Sequence, residues 1–112
     1  MRAMPKLPRV GPETKERFEA LAEDLVARGA KRSQMFGMPV LKKGDKVFCG
    51  TFGDAMTFKL GSEEEATTAL KKQGVERFEP MAGRAMKAWV LVPVEHRRAW
   101  AKLADQAFRA LP

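Results

Sequence analysis

Cys49 and His96 are the only thiol and the only imidazole among the 112 residues, so nucleophilic chemistry of the Cys–His type would have to run through them. Cys49 falls inside the apolar run 47–51, where a cysteine usually packs as a small hydrophobe. His96 stands between Glu95 and the pair Arg97 and Arg98, and no third orienting residue or glycine-rich turn frames a dyad. The chain therefore reads as non-enzymatic. One cysteine excludes an intramolecular disulfide, and one cysteine with one histidine excludes a structural zinc site of the usual Cys/His kind. No metal or cofactor is expected. Glu63, Glu64 and Glu65 sit together where a helix should begin, and the helix macrodipole accounts for them without acid–base work. Gly50, Gly53 and Gly61 lack the spacing of a phosphate-binding loop and fall where turns or tight strand contacts need glycine.

The cations carry the stronger signal. Lys and Arg number 21 against 14 Asp and Glu, a net charge of +7. Residues 1–12 hold Arg2, Lys6 and Arg9 with Pro5, Pro8 and Pro12 and no acid, which predicts a flexible basic arm and leaves +4 on residues 13–112. Three further clusters are candidates for phosphate contact: Lys42, Lys43 and Lys46 around a turn, Arg84 with Lys87, and Arg97, Arg98 and Lys102 near the C-terminus. Aromatic residues fall mostly on core phases, and no segment has the pattern of a base-reading helix. Weak, salt-sensitive nucleic-acid binding is the most these charges imply.

The elements that must position these groups follow from periodicity. Pro12, Glu13 and Glu16 suit a helix start, and Phe18, Leu21, Ala22, Leu25 and Val26 form one apolar face that ends at Gly29. Glu13 with Arg17 and Asp24 with Arg28 are favourable i,i+4 pairs. The period then shortens. Residues 35–41, 47–51 and 55–60 read as three short strands, joined by turns at Lys43-Gly44-Asp45 and Gly53-Asp54, in an antiparallel meander. Ser62 with Glu65 is a capping box opening a helix to about Gln73, with Gly74 as its stop. Residues 78–81 and 85–92 are further strand candidates, and Trp100, Leu103, Ala104, Ala107 and Leu111 mark a C-terminal helix. The sum is one domain of α+β class over residues 13–112. It has two layers, with a mainly antiparallel sheet of four to five strands and helices packed on one face. No apolar run approaches membrane-spanning length and no secretory signal is visible, so a cytoplasmic protein is expected.

Met35-Phe36-Gly37-Met38-Pro39, Gly44-Asp45, the run from Phe78 through Gly83-Arg84-Ala85-Met86, and Val92-Pro93 before the Trp-bearing helix form an ordered series. In this order and spacing the sequence resembles the TfoX/Sxy N-terminal domain family from about residue 13 onward. A weaker likeness extends to the MmcQ/YjbR group, whose descriptions often mention DNA binding. Met35, Phe36 and Gly37, with Gly83, Arg84 and Met86, are the most specific parts. The resemblance implies a two-layer α+β domain and a regulatory or accessory role. Members of that family are linked to control of competence genes, usually with a helical second domain behind this one, and have no settled enzymatic activity. The absence of tyrosine departs from relatives that carry aromatic hydroxyls in the sheet.

Residues 35–41 and 88–92 are apolar on both alternating faces, and helices can cover only one face of a sheet. The second face is therefore expected to be partly apolar and to form a homodimer or to bind a protein partner. Two functions follow. One is an accessory module acting through protein association, with weak nucleic-acid binding in addition. The alternative is a purely protein-binding homodimeric module whose charge serves solubility.

Overall fold

The computed structural model describes residues 11–35, 38–78 and 88–111. Helix α1 spans Pro12–Ala27, with Gly11 as its N-cap residue and Pro12 in the first turn, where the missing amide proton is not needed. Gly11 and Pro12 thus belong to the helix start rather than to the expected arm; the rest of that arm lies outside the described residues. Phe18, Leu21, Ala22 and Leu25 are buried, whereas Val26, read from the sequence as part of the same face, is 40% exposed. Gly29 follows at φ +113°, a left-handed conformation that suits a residue without Cβ.

Among the described residues six strands form a single antiparallel sheet: β1 (Lys31–Met35), β2 (Met38–Lys43), β3 (Lys46–Phe52), β4 (Ala55–Lys59), β5 (Glu76–Arg77) and β6 (Trp89–Val92), in the order β1-β2-β3-β4-β6-β5. The α+β class holds, with six strands in place of four to five. Residues 35–41, expected as one strand, divide between the end of β1 and most of β2. β5 lies before the expected 78–81 strand, and the described part of the last strand is Trp89–Val92, preceded by Ala88 at φ +67°. Helix α2 (Glu63–Leu70) is shorter than expected and gives way to a turn before Gly74 at φ +88°. After Pro93 a 3-10 turn, Val94–Ala99, leads into α3 (Trp100–Ala110). Among the described residues no helix is long and apolar enough to cross a membrane.

The strand register sorts side chains onto two faces. Leu41, Cys49, Phe58 and Val90 form one row across β2, β3, β4 and β6, with Met56 and Val92 beside it. These residues share one buried cluster with Phe18, Leu25, Ala66, Trp100 and Ala104 of the three helices, so all three helices pack on this face. A β-bulge explains why two successive residues of β3 both enter that core. The register shifts between Leu41 and Lys42, so Phe48 has no single partner and turns inward beside Cys49, to meet the Phe108 ring edge-on at 5.5 Å.

The opposite face carries Val40, Gly50, Thr57 and Trp89, with Phe52, Phe78 and Trp89 in a chain of ring contacts. Met38, Val40, Phe78 and Trp89 are each at most 5% exposed. The expected open apolar face is therefore corrected: among the described residues Val26, on α1, is the only exposed large hydrophobic residue. What this face shows to solvent is half-buried Phe52 and Leu91, around a shallow cavity shared with Glu76 and Arg77.

Two positions hold this arrangement tightly. A Cβ on Gly50 would lie 2.5 Å from Val40 Cγ1, so β2 and β3 approach closely only because Gly50 has none. Gly50→Ala should cost about 1–3 kcal/mol in urea unfolding, and adding Val40→Ala should recover part of the loss. The second is Lys43. Its Nζ donates to the carbonyl oxygens of Phe108 at 2.9 Å and Leu111 at 2.6 Å, and lies 4.3 Å from the Phe108 ring centre. A cation thus sits at the negative end of α3, on the Leu111 carbonyl and on the Phe108 carbonyl, which accepts only a long 3.4 Å bond from the Leu111 amide. Lys43→Met is expected to lose about 2 kcal/mol. Lys46→Met, at an exposed position paired with Lys43 across the turn, should stay within about 0.5 kcal/mol of the parent.

Candidate functional site

The repeat of apolar residues that sinks α1 into the core also sets a stripe of polar ones along its edge. Arg17, Asp24 and Arg28 share the side of α1 that carries Leu21 and Leu25. The facing wall comes from the segment after Pro93. There Arg97 Nη1 donates to the Val94 carbonyl at 3.1 Å, and His96 breaks the helical path at φ −107°, ψ 27°. α3 then starts with Trp100, whose indole Nε1–H donates to the Val92 carbonyl at 3.2 Å and whose ring is buried. Between the two walls lies a groove of about 370 Å³, floored by Leu21, Leu25 and Trp100 and rimmed by Arg17, Arg28, Arg97 and Arg98.

The rim is partly neutralised from within. Glu13 Oε2 is shared by Arg17 Nε at 3.5 Å and Arg97 Nε at 2.6 Å, so one carboxylate serves two guanidinium groups. Arg28 Nη2 donates to Asp105 Oδ1 at 2.7 Å and lies 3.5 Å from Asp24 Oδ2. The Arg28 guanidinium also sits 5.2 Å from the centre of the Phe108 ring. Arg98 is exposed and makes no ion pair among the described residues. The Arg28 hydrogen bond is the main cause holding the Asp105 carboxyl below the usual carboxylate range, with the charge of Arg109 adding to it. Reciprocally, that bond raises Arg28 above its ordinary value. Guanidinium groups above an apolar floor form a site for a carboxylate attached to something apolar, since arginine binds carboxylates through paired donors and stacks on flat groups.

No family model matches the chain, and no curated protein or solved structure matches it either.

The candidate cations divide three ways. Lys43 and Arg97 are engaged internally, on the end of α3 and on Glu13 respectively. Arg84 and Lys87 lie outside the described residues, as do Phe36, Gly37, Gly83 and Met86 of the series on which the resemblance rests; Met35 closes β1 opposite Met38 and is half-buried. Lys42 is half-buried, and Lys46, Arg98 and Lys102 are exposed. Lys46 sits by the β2–β3 turn, which Lys43 ties to the C-terminal end of α3, whereas Arg98 precedes the N-terminal end. The helix between them is about 16 Å long at 1.5 Å per residue, so these cations do not form one continuous cluster.

Cys49 is wholly buried and burial pushes its thiol well above the ordinary range, which removes it as a nucleophile. His96 Nε2 lies 2.6 Å from the Gln73 carbonyl oxygen and so donates to it. Glu65 completes the capping box: its amide donates to Ser62 Oγ and its Oε1 accepts from the Gly61 amide, each at 3.1 Å. Among the described residues no three His, Cys, Asp or Glu side chains are placed to hold a metal ion.

Arg17, Arg28 and Trp100 escaped the sequence reading of the site. The first two registered only as partners in the i,i+4 pairs Glu13–Arg17 and Asp24–Arg28, both of which form at 3.5 Å. Their common side with Leu21 and Leu25 was a usable signal.

A carboxylate with a lowered folded-state value contributes stability above the unfolded value near 3.9, and that contribution is lost as pH falls through the folded value. Asp105→Asn should therefore unfold more readily at pH 7 and lose less stability than the parent on acidification below pH 4. Urea midpoints across that range check both.

Proposed function

We propose that this chain is a non-enzymatic accessory or regulatory module, of the kind that its resemblance to TfoX/Sxy N-terminal domains implies, acting by association with another protein. The groove between α1 and the start of α3 is the surface that best supports this reading. Its occupant is an acidic segment with at least one apolar side chain. The carboxylates would meet Arg17 and Arg98 on the rim, and the apolar group would cover Leu21, Leu25 and Trp100. One observation carries the reading: exposed Arg98 has no ion-pair partner among the described residues, and beside it Arg17 and Arg97 share a single carboxylate. The net charge of +7 adds long-range attraction for an anionic partner and speaks against a second copy of the same chain in this groove. Nucleic acid is the competing partner, favoured by exposed Lys46, Arg98 and Lys102 and weakened by the distance between the first two.

Fluorescence anisotropy with a labelled peptide of alternating Glu and Leu, and with a labelled duplex DNA, separates these partners. The peptide is expected to bind the parent, and Arg98→Glu should weaken it at least about fivefold, while Lys46→Glu leaves it unchanged. If the DNA binds more tightly, and both variants weaken it alike, the role belongs to nucleic acid. If neither probe binds and sedimentation shows a dimer that Arg98→Glu dissociates, the groove serves a second copy. Absence of binding and of dimer sinks the association reading.

A further inference from the structure

Helices α2 and α3 leave a second gap, separate from the arginine groove. Glu65, Thr68, Ala69 and Lys72 form one stripe of α2 and its end; Ala99, Lys102, Leu103 and Gln106 form the matching stripe of α3 and its start. Both stripes run i, i+3, i+4, i+7. The gap is bridged at each end, once between the helices themselves and once between the turn after α2 and the 3-10 turn before α3. At one end Gln106 Nε2 donates to Glu65 Oε1 at 2.6 Å; at the other His96 Nε2 donates to the Gln73 carbonyl oxygen at 2.6 Å. Between these joints the helices stay apart over a pocket of about 260 Å³ whose floor is Leu60, Val75 and Val92.

We propose that this pocket binds a small amphipathic carboxylate with a single unbranched apolar chain. The floor and the inner walls, Ala69, Ala99 and Leu103, are apolar, while Lys72 and Lys102 stand on opposite sides of the mouth. Both lysines are exposed and make no ion pair among the described residues. A carboxylate held between two ammonium groups leaves its chain pointing at the floor. The one acid on the rim, Glu65, is held by the Gly61 amide and by Gln106, and its single charge is outnumbered by the two lysines. A volume of 260 Å³ at ~30 Å³ per water-sized group takes a chain of roughly eight to ten carbons. Longer chains, and flat polycyclic bodies, exceed that volume.

The probe is decanoate at submillimolar concentration, followed by calorimetry and by amide NMR shifts. Decanol serves as the uncharged control and butyrate as the short-chain control. Saturable binding is expected for decanoate, with shifts centred on Ala69, Ala99 and Leu103. Decanol should bind roughly fivefold more weakly, since two exposed cations supply the difference, and butyrate should not bind measurably. The double variant Lys72→Glu, Lys102→Glu changes only exposed side chains and should remove or invert the preference for decanoate over decanol. Leu103→Trp fills the pocket and should abolish binding of both. Ala99→Leu narrows the same space and takes its place if Leu103→Trp does not fold. Lack of saturable decanoate binding overturns the proposal. So does a decanoate-to-decanol ratio that the double glutamate variant leaves unchanged, or undiminished binding to a folded filled-pocket variant. The arginine groove is untouched by these substitutions, so the acidic-peptide titration fails or succeeds independently.

Discussion

The ammonium group of Lys43 carries a charge from strand β2 to the last carbonyls of α3, and the position of that helix decides most of what the molecule presents to its surroundings. α3 has no side-chain cap at its start, and at its end the Leu111 amide makes only a long 3.4 Å bond to the Phe108 carbonyl, which leaves room for a further donor from elsewhere in the chain. Lys43 supplies it, and the Phe108 ring lies against the same ammonium, against Phe48 from β3 and near the Arg28 guanidinium from the end of α1. Three elements thus converge on one turn of helix. Ala104 and Ala107, wholly buried, let that helix come close to β3 and β4, where a larger side chain would hold it off.

The sheet beneath is shaped to receive it. A regular β3 would send only one of Phe48 and Cys49 toward the helices; the bulge sends both, and Phe48 is the one that reaches Phe108. On the far side the same strand needs Gly50, because Val40 occupies the space its side chain would fill. A strand that is inward-heavy at one step and bare at the next fixes its register against both neighbours, since a slip of one residue would set Cys49 or Thr51 against Val40 in place of Gly50. The turn after β3 is tied in turn to the start of α1, where Thr14 Oγ1 donates to the Asp54 carbonyl at 3.1 Å.

Much of this was legible in the sequence, and the parts that were not share a physical cause. α1, α2 and α3 announce themselves by local signals: Pro12 and Gly29, the Ser62–Glu65 capping box, and the spacing of Trp100, Ala104 and Ala107. Strands β3 and β4 follow from alternation between tight turns. β1 was invisible because it is an edge strand, Lys-Arg-Ser-Gln-Met, exposed along most of its length and held by backbone pairing to β2 that leaves no apolar pattern. The sixth strand and the split of residues 35–41 follow from that omission. Lys43 read as a candidate phosphate contact at a turn because nothing local distinguishes it from Lys42 or Lys46; only the arrival of α3, 65 residues later, gives it an internal partner. Arg97 is the same case, its partner Glu13 lying at the other end of the chain. Long-range ion pairs are set by packing, and packing is not periodic.

α3 is also the wall that the two grooves have in common. One flank turns Ala101, with Arg97 and Arg98 just before it, toward α1; the other turns Lys102, Leu103 and Gln106 toward α2; the side between them enters the core. An eleven-residue helix can serve three surfaces only if its rotation about its own axis is fixed, because a turn of some tens of degrees would carry Lys102 toward the sheet. The fixing contacts are placed for this. Arg28 holds Asp105 from the α1 side, Glu65 holds Gln106 from the α2 side, and Lys43 takes the end from below. Asp105 and Gln106 are neighbours in sequence and point to opposite flanks, so the two bonds oppose each other in rotation. The acids of these ties are spent on structure, which is why the cations left over, Arg98, Lys72 and Lys102, are the groups that face solvent at the mouths of the grooves.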